Sequence, residues 1–191
     1  MNCNRRYNLW IVNQYTVTPE YPASTRHYEL AKYLARYCDV TLWGSHFIHH
    51  NKTFRSARKW RGLEETPEGF RLVWLPALPY RDNGPARIVN MLLYAVTLFA
   101  AGLFRKCRPD AVIGSSPPLF AAYASMWIAR LRGAKFIFEV RDLWPDSLTE
   151  ITGRERGLAV RVLRRMERSL YRHADLVIAL TEGIAAAVRE R

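Results

Sequence analysis

Acidic, basic and aromatic residues follow directly after a strongly apolar segment near the middle of the chain. The stretch 135–146 reads KFIFEVRDLWPD; its first six residues predict a buried strand, and Arg141 and Asp142 come after its end. A carboxylate in such a position can accept a proton from a hydroxyl group, and a guanidinium can stabilise phosphate charge. Ligands of open α/β folds bind at the carboxyl ends of the strands, so the segment predicts a functional site there. The alternative is a structural ion pair that includes Glu139, with Trp144 closing the core.

Two small hydroxyl residues stand at the end of an earlier predicted strand. Ser115 and Ser116 follow the apolar residues of the stretch 110–115, and two prolines come next. Their hydroxyls are candidates for ligand contact at the carboxyl edge of the sheet. Alternatively, they cap the helix predicted over 119–131. The two interpretations are compatible, since a capped helix start also presents N–H groups to an anion.

Strands and helices are predicted to alternate along most of the chain. The predicted strands cover residues 9–13, 39–43, 70–75, 110–115, 135–140 and 174–180. Helices lie between them, with Ser24 or Thr25 as the predicted cap of the first and Thr181 as that of the last. This alternation predicts an α/β fold with a parallel sheet. The first loop has no G-x-G-x-x-G sequence, so the dinucleotide-binding fingerprint is absent.

Composition favours one cytoplasmic domain with an anionic partner. The chain has 191 residues, the length of one domain or of one domain plus a fragment, and 49% are hydrophobic, enough for a core. With 29 basic and 17 acidic residues the net charge is +12, which suggests nucleic acid, a phosphorylated ligand or an acidic membrane surface. Nucleic acid is disfavoured because the arginines are dispersed and no recognition motif occurs. The three cysteines fit neither a disulfide framework nor a zinc pattern, which is typical of a reducing compartment.

The stretch 46–66 is polar and basic, and we interpret it as a mobile excursion from the domain. His46, His49 and His50 lie in it without cysteine or acidic neighbours. A solvated loop is therefore favoured over a metal site.

Two segments could meet a membrane. Residues 88–104 are the most apolar stretch, slightly shorter than the ~20 residues that a membrane helix needs. A helix packed on the sheet is favoured because the stretch lies between two predicted strands; partial membrane insertion is the alternative.

A second helix, over 157–172, has a cationic face that meets either solvent or anionic lipid. That face consists of Arg161, Arg165, Arg168 and Arg172. The opposite face is predicted to be apolar and consists of Ala159, Val162, Leu163, Met166 and Leu170.

Four motifs together resemble a known family. They are STRHYELAKYLA in the first helix, SSPP after the fourth strand, EVRDLWPDS after the fifth, and ERSLYRHADLVIALTEGI near the end. They are similar to the N-terminal half of family 4 glycosyltransferases of the GT-B architecture. The L-fucosamine transferase-like subgroup, which builds bacterial surface polysaccharides, is the most similar. One departure is Ala23-Ser24, where many relatives have two glycines that allow close backbone approach to phosphate.

The resemblance implies a Rossmann-like, acceptor-binding domain over residues 1–191, with helices on both faces of its sheet. A C-terminal domain, absent here, is expected to bind the nucleotide-sugar. The implied reaction transfers a sugar, hexosyl or N-acetylhexosaminyl, from a UDP- or GDP-linked donor with retention of configuration. The expected acceptor is lipid-linked or a polysaccharide, no metal or other cofactor is expected, and the expected location is peripheral, on the cytoplasmic face of the cell membrane.

The resemblance also implies roles for individual residues. Asp142 matches the acid nearest the acceptor hydroxyl, whose proton it is expected to accept or orient. The residues expected to bind substrate are Arg26, His27, Ser115, Ser116, Arg141, Trp144 and Glu182. Glu139 is interpreted as structural. Without a donor-binding half the chain is expected to fold but to be inactive. The alternative is a truncated, non-catalytic module that binds a membrane or a partner subunit.

Overall fold

A seven-stranded sheet forms the centre of the computed structural model, which describes residues 6–55, 62–82, 84–144 and 157–190. The strands are β1 (Asn8–Val12), β2 (Asp39–Ser45), β3 (Phe47–Ile48), β4 (Thr53–Phe54), β5 (Leu63–Glu65), β6 (Arg71–Leu75), β7 (Ala111–Ser116), β8 (Lys135–Val140) and β9 (Leu176–Ala179). The order across the sheet is β5-β6-β2-β1-β7-β8-β9, and β3 pairs with β4 in a separate hairpin. All neighbours in the sheet are parallel except β5 and β6.

The helices of the described residues cover both faces of the sheet. They are α1 (Arg26–Leu34), α2 (Pro85–Phe104), α3 (Leu119–Arg132), α4 (Leu158–His173) and α5 (Glu182–Arg189). Helix α1 packs on one face, and α2, α3 and α4 pack on the other. The connection from β1 to β2 crosses the sheet in one direction, and those from β6 to β9 cross it in the other. Right-handed crossovers therefore place their helices on opposite faces.

Side chains alternate between the two faces of each strand, so the domain has two cores. In β1, Trp10 belongs to the core under α2, α3 and α4, whereas Ile11 belongs to the core under α1. In β8, Phe138 faces the first of these cores. The next residue, Glu139, consequently points toward α1, where it meets His27. Alternation along β8 thus delivers a carboxylate to the start of α1.

The six predicted strands, the helices between them and the α/β, Rossmann-like fold class are confirmed, with strand ends shifted by one or two residues. The cap predictions have mixed outcomes. The Thr181 hydroxyl caps α5 by accepting from Ile184 N at 3.2 Å, as predicted. Thr25 is the N-cap residue of α1, but its side chain makes no capping bond. At α3 the N-cap position is occupied by Pro118, so the predicted serine cap is wrong.

The stretch 46–66 differs from the predicted solvated excursion in its described part. His46, Phe47 and Ile48 are buried, and the Phe47 ring lies 4.9 Å from the Tyr80 ring and 5.3 Å from the Phe54 ring. The apolar residues of a short hairpin are few, and the basic composition around them hid the pattern. Residues 63–65 form β5 and extend the sheet, while residues 56–61 lie outside the described residues.

Helix α2 packs on the sheet, as favoured from the sequence. Tyr94 and Leu98 are fully buried, and the Tyr94 hydroxyl donates to the Trp43 carbonyl at 3.0 Å. By length and composition α2 could cross a membrane. Only 28% of its most apolar 18 residues is buried inside the domain. Its side away from the sheet is apolar as well as exposed, which the sequence did not reveal.

Candidate active site at the carboxyl edge of the sheet

A cavity of about 210 Å³ opens at the carboxyl edge of the sheet, among the segments that follow β1, β2, β7 and β8. Three of the predicted site residues line it: His27 at the start of α1, and Arg141 and Asp142 after β8. Ala23 and Ser24, the pair that replaces two glycines, also line it. The structure therefore gathers residues more than a hundred positions apart at the edge where open α/β folds bind ligands.

A buried carboxylate holds the start of α1. Glu139 Oε2 lies 2.7 Å from His27 Nε2, and Oε1 accepts from Arg26 Nη2 at 2.9 Å and Nε at 3.2 Å. The side chains of Glu139 and His27 are 1% and 3% exposed, whereas that of Arg26 is 41% exposed. We call these three residues the ion triad. Because a buried charge requires partners, the triad fixes α1 against β8.

The protonation of the ion triad follows from its contacts. Burial alone would raise the pKa of Glu139, but the hydrogen bond and charge of His27, with a further bond from Arg26, lower it to about 2. Glu139 is therefore a carboxylate at neutral pH, which only accepts hydrogen bonds. His27 Nε2 must carry the proton between them, so the carboxylate fixes the orientation of an imidazole that lines the cavity. This burial fits the interpretation of Glu139 as structural.

The residues directly after β8 differ in exposure. Asp142 is exposed at the cavity, and its main-chain carbonyl accepts from Trp144 N at 3.0 Å. Arg141 is half-buried, and its Nε is buried without a hydrogen-bond partner within the described residues. A buried donor without a partner costs free energy until a ligand or water satisfies it. Trp144 packs against the core, which matches the alternative given for it from the sequence.

Ser115, Ser116 and Glu182 do not line the cavity. Both serines are fully buried, and the Ser116 hydroxyl donates to the Glu139 carbonyl at 3.4 Å. Both residues belong to the β7–β8 pair, in which Ser115 stands next to Glu139, and the neighbouring Pro117 lines the cavity instead. Glu182 is exposed in the first turn of α5, after β9. The structure thus gives these three side chains no contact with the cavity.

Sequence reasoning missed a cluster of basic and phenolic side chains at the cavity. Tyr15 and His49 line it. Arg87 Nη2 donates to the Tyr15 hydroxyl at 3.2 Å, and the Tyr80 hydroxyl and Lys52 Nζ lie 2.7 Å and 3.0 Å from His49 Nδ1. The pKa of His49 is lowered to about 4 by burial and by the charges of Arg87 and Lys52. We call these five residues the basic cluster. Tyr15 comes shortly after β1, so the rule applied to Asp142 would have found it, whereas His49 follows β3 of the hairpin and was not indicated by that rule.

One arginine anchors the loops behind the basic cluster. The Arg55 guanidinium lies 3.6 Å from the centre of the Trp74 ring and donates to the carbonyls of Thr16 and Ser45 and to the hydroxyl of Thr18. Burial lowers its pKa to about 10, so it remains charged at neutral pH. Arg55 thereby ties the segment after β1 to the hairpin β3–β4 and keeps Tyr15 and His49 on the same side of the cavity.

The arginines predicted to face a membrane lie elsewhere, on the outer side of α4. Arg161, Arg165, Arg168 and Arg172 are all exposed, and we call them the arginine face. The predicted apolar side is wrong at two positions, because Ala159 and Val162 are exposed as well. The buried residues of α4 are Leu163, Glu167 and Leu170. Glu167 accepts from the Tyr171 hydroxyl at 3.1 Å.

The described residues contain no group of three or more His, Cys, Asp or Glu side chains that could hold a metal ion. Arg141 and Asp142 line the cavity, and the charged groups of Lys52 and Arg87 contact its lining residues His49 and Tyr15. The site therefore offers one exposed carboxylate in a cavity bordered by cationic side chains, an arrangement that suits a hydroxyl compound carrying a phosphate group.

Comparisons with known proteins agree with this chemistry. The family model described as "Glycosyl transferase 4-like domain" matches residues 23–191. WcaI of Escherichia coli (strain K12), whose name assigns it to colanic acid biosynthesis as a glycosyl transferase, is 28% identical over 131 residues. That match covers 65% of this chain and 32% of WcaI, so the chain spans about a third of the length of this relative. Because the family model covers most of the chain, the protein belongs to the glycosyl transferase 4-like domain family.

Proposed function

We propose that the chain is the acceptor-binding domain of a retaining glycosyltransferase of cell-surface glycan biosynthesis. The donor is a UDP- or GDP-linked sugar, bound mainly by a second domain, and the acceptor is a lipid-linked sugar or a polysaccharide. The observation that carries the proposal is the cavity at the carboxyl edge, where Asp142, Arg141 and His27 meet. Family membership and the name of WcaI support a transferase of this general kind.

Asp142 has the position and chemistry for contact with the acceptor hydroxyl. Its carboxylate is exposed at the cavity, so it can accept the hydroxyl proton or orient it toward the departing phosphate. His27 is held by Glu139 and cannot turn away, which suits a residue that positions the acceptor. We propose no metal or other cofactor, because the arginines and lysine at the cavity can supply the positive charge.

The basic cluster is suited to the phosphate of a lipid-linked acceptor. Lys52 and Arg87 stand beside residues that line the cavity, and Tyr80 and Tyr15 hold them through ring contacts or hydrogen bonds. A phosphate bound there would leave the attached sugar to extend toward Asp142. This favours a lipid-linked acceptor over a neutral polysaccharide, and with it a peripheral location on the cytoplasmic side of a membrane. An enzyme similar to the L-fucosamine transferases fits these features.

Two measurements test the proposed function. In a two-domain protein that carries this chain as its N-terminal domain, Asp142→Asn should preserve the fold and reduce turnover by about 10²–10⁴-fold. Arg36→Ala, a change on an exposed residue after α1, is the matched control and should leave turnover unchanged. Turnover of Asp142→Asn equal to the wild type would remove Asp142 from the reaction.

The isolated chain gives the second measurement. Calorimetry should detect binding of a lipid-linked acceptor analogue that contains a diphosphate. It should detect only weak binding of UDP- or GDP-sugars, since most donor contacts are assigned to another domain. Micromolar donor affinity would place the donor site in this chain instead. Binding of neither compound, together with membrane binding, would favour the alternative of a non-catalytic module.

A further inference from the structure

An apolar surface covers the outer side of the helix pair α2–α3, away from the sheet. Val96 and Phe104 of α2 are 66% and 82% exposed, and Trp127 and Leu131 of α3 are 40% and 53% exposed. Spacing along α2 places its exposed apolar residues on one side of the helix. The surface, which we call the apolar patch, consists of Ile88, Val89, Leu92, Val96, Ala100, Phe104, Trp127 and Leu131.

The two helices form one rigid support for the apolar patch. A Cβ on Gly102 of α2 would lie 2.8 Å from Ile128 Cδ1 of α3, so the absence of a side chain lets the helices approach closely. The inner side of α2 is committed to the core through Tyr94 and Leu98. The helix therefore cannot rotate its exposed apolar residues inward without breaking that core. Large exposed apolar surfaces of this kind mark interaction sites.

The charges around the apolar patch are almost all positive. Residues 84–138 contain seven Lys and Arg but a single acidic residue, Asp110, whose carboxylate accepts from Asn8 N at 2.8 Å. Lys106, Arg108 and Arg130 are exposed near the carboxyl ends of α2 and α3. Helix α4 packs beside α3 on the same face of the sheet and adds the arginine face. An apolar centre with a cationic margin complements an anionic bilayer, which has apolar chains below negative head groups.

We propose that the apolar patch docks into the interface of an anionic phospholipid bilayer, with the arginine face against the head groups. Helix α2 lies in the plane of the interface and does not span the membrane, because Tyr94 and Leu98 hold its other side on the sheet. The inference deepens the proposed membrane location of the enzyme, and it is tested without any transfer assay. It assigns the contact mainly to α2 and α3, with α4 adding charge.

The docking surface begins beside the cavity. Arg87 of α2 donates to the hydroxyl of Tyr15, which lines the cavity, and the next residue, Ile88, is the first of the apolar patch. A second bond, from Gln14 Nε2 to Asn90 Oδ1 at 2.7 Å, fixes the same turn of α2 to the segment after β1. A bilayer on the apolar patch therefore brings its head groups next to the basic cluster.

Vesicle co-sedimentation of the 191-residue chain tests the proposal. Vesicles of phosphatidylcholine with 30% phosphatidylglycerol should bind the chain, and phosphatidylcholine alone should bind it weakly. Val96→Asp and Phe104→Asp should each reduce partitioning by about 10-fold or more, because a charge replaces a side chain that enters the interface. The matched control is Tyr33→Asp on α1, on the opposite face of the sheet, where a 54% exposed aromatic residue becomes acidic. That variant should bind within about 2-fold of the wild type, and circular dichroism should show all variants folded.

Insertion depth provides an independent readout. Brominated lipids should quench part of the tryptophan fluorescence, and Trp127→Phe should abolish that part. Three outcomes would overturn the proposal: equal loss of binding in Tyr33→Asp, unchanged binding in Val96→Asp and Phe104→Asp, or no quenching from Trp127. Light scattering could give a fourth such outcome: a stable dimer of the wild type that Val96→Asp converts to a monomer. The apolar patch would then be covered by a second copy of the chain.

Discussion

Both faces of the central sheet bury apolar side chains, but only the α1 face of the described residues also buries an ion pair, that of Glu139 with His27 and Arg26. On the α1 side, Glu139 is buried with His27 and Arg26 close to the cavity. On the other side, Trp10, Tyr94 and other apolar or aromatic residues fill the space under three helices. The difference teaches that the Glu139 carboxylate is buried with two basic partners beside the cavity, where it orients His27, whereas Glu167 on the other face is buried against the Tyr171 hydroxyl. Apolar burial stabilises both faces.

The largest expected effect is on the three-helix face. Leu98 is fully buried, and Leu98→Ala should reduce the free energy of unfolding by about 4 kcal/mol, because it removes apolar contacts and leaves a cavity. Urea denaturation measures the change. Val96→Ala, on the exposed side of the same helix, should change it by no more than about 0.5 kcal/mol. Similar losses for both variants would mean that α2 is buried on both sides.

A slightly smaller loss is expected on the α1 face. Glu139→Gln should reduce the free energy of unfolding by about 3 kcal/mol, the lower end of the range for breaking a buried ion pair, because Arg26 stays partly hydrated. The control is Lys135→Ala, which removes an exposed ion pair with Asp175 on the same strand and should cost less than about 1 kcal/mol. If Glu139→Gln costs no more than Lys135→Ala, the ion triad does not hold α1 in place.

The pH dependence of stability should separate the two faces. The pKa of Glu139 is about 2 in the folded chain, against 4.5 for an ordinary glutamate. The carboxylate therefore stabilises the fold above pH 4.5, and this stabilisation is lost as the pH falls toward 2. From pH 6 to pH 3 the wild type should lose about 2 kcal/mol from this group. Denaturation at several pH values should show that loss in Leu98→Ala but not in Glu139→Gln.

The smallest effect concerns the one hydroxyl of α2 that reaches the sheet. Tyr94→Phe removes the hydrogen bond to the Trp43 carbonyl and leaves that acceptor buried, which should cost about 1 kcal/mol. Thermal or urea unfolding can resolve the change against the wild type. A gain in stability would mean that the carbonyl finds water or another donor.

The fold could be predicted from the sequence because its strands are long apolar runs separated by helices of ordinary length. The hairpin β3–β4 and the short β5 escaped prediction because strands of two or three residues have no measurable period. The exposure of the outer side of α2 was not predicted for another reason. An apolar helix is expected to be buried, and composition alone cannot say which of its sides the sheet covers.

The candidate site was predictable only in part. Asp142, Arg141 and His27 share the cavity because they follow strands or start a helix at one edge of the sheet. Contacts such as His27 with Glu139 depend on how α1 packs against β8, which no local pattern specifies. The two serines look exposed in sequence, yet the pairing of β7 with β8 buries them.

The contact between Arg87 and Tyr15 has a consequence for how the enzyme would find its acceptor. In the docked state that we propose, the cavity would lie within one side chain of the head groups, since Arg87 contacts Tyr15 of the cavity wall and Ile88 would enter the interface. A lipid-linked acceptor would then reach the cavity by lateral diffusion without leaving the bilayer. The search would take place in two dimensions, and the surface density of the acceptor lipid would set the encounter frequency.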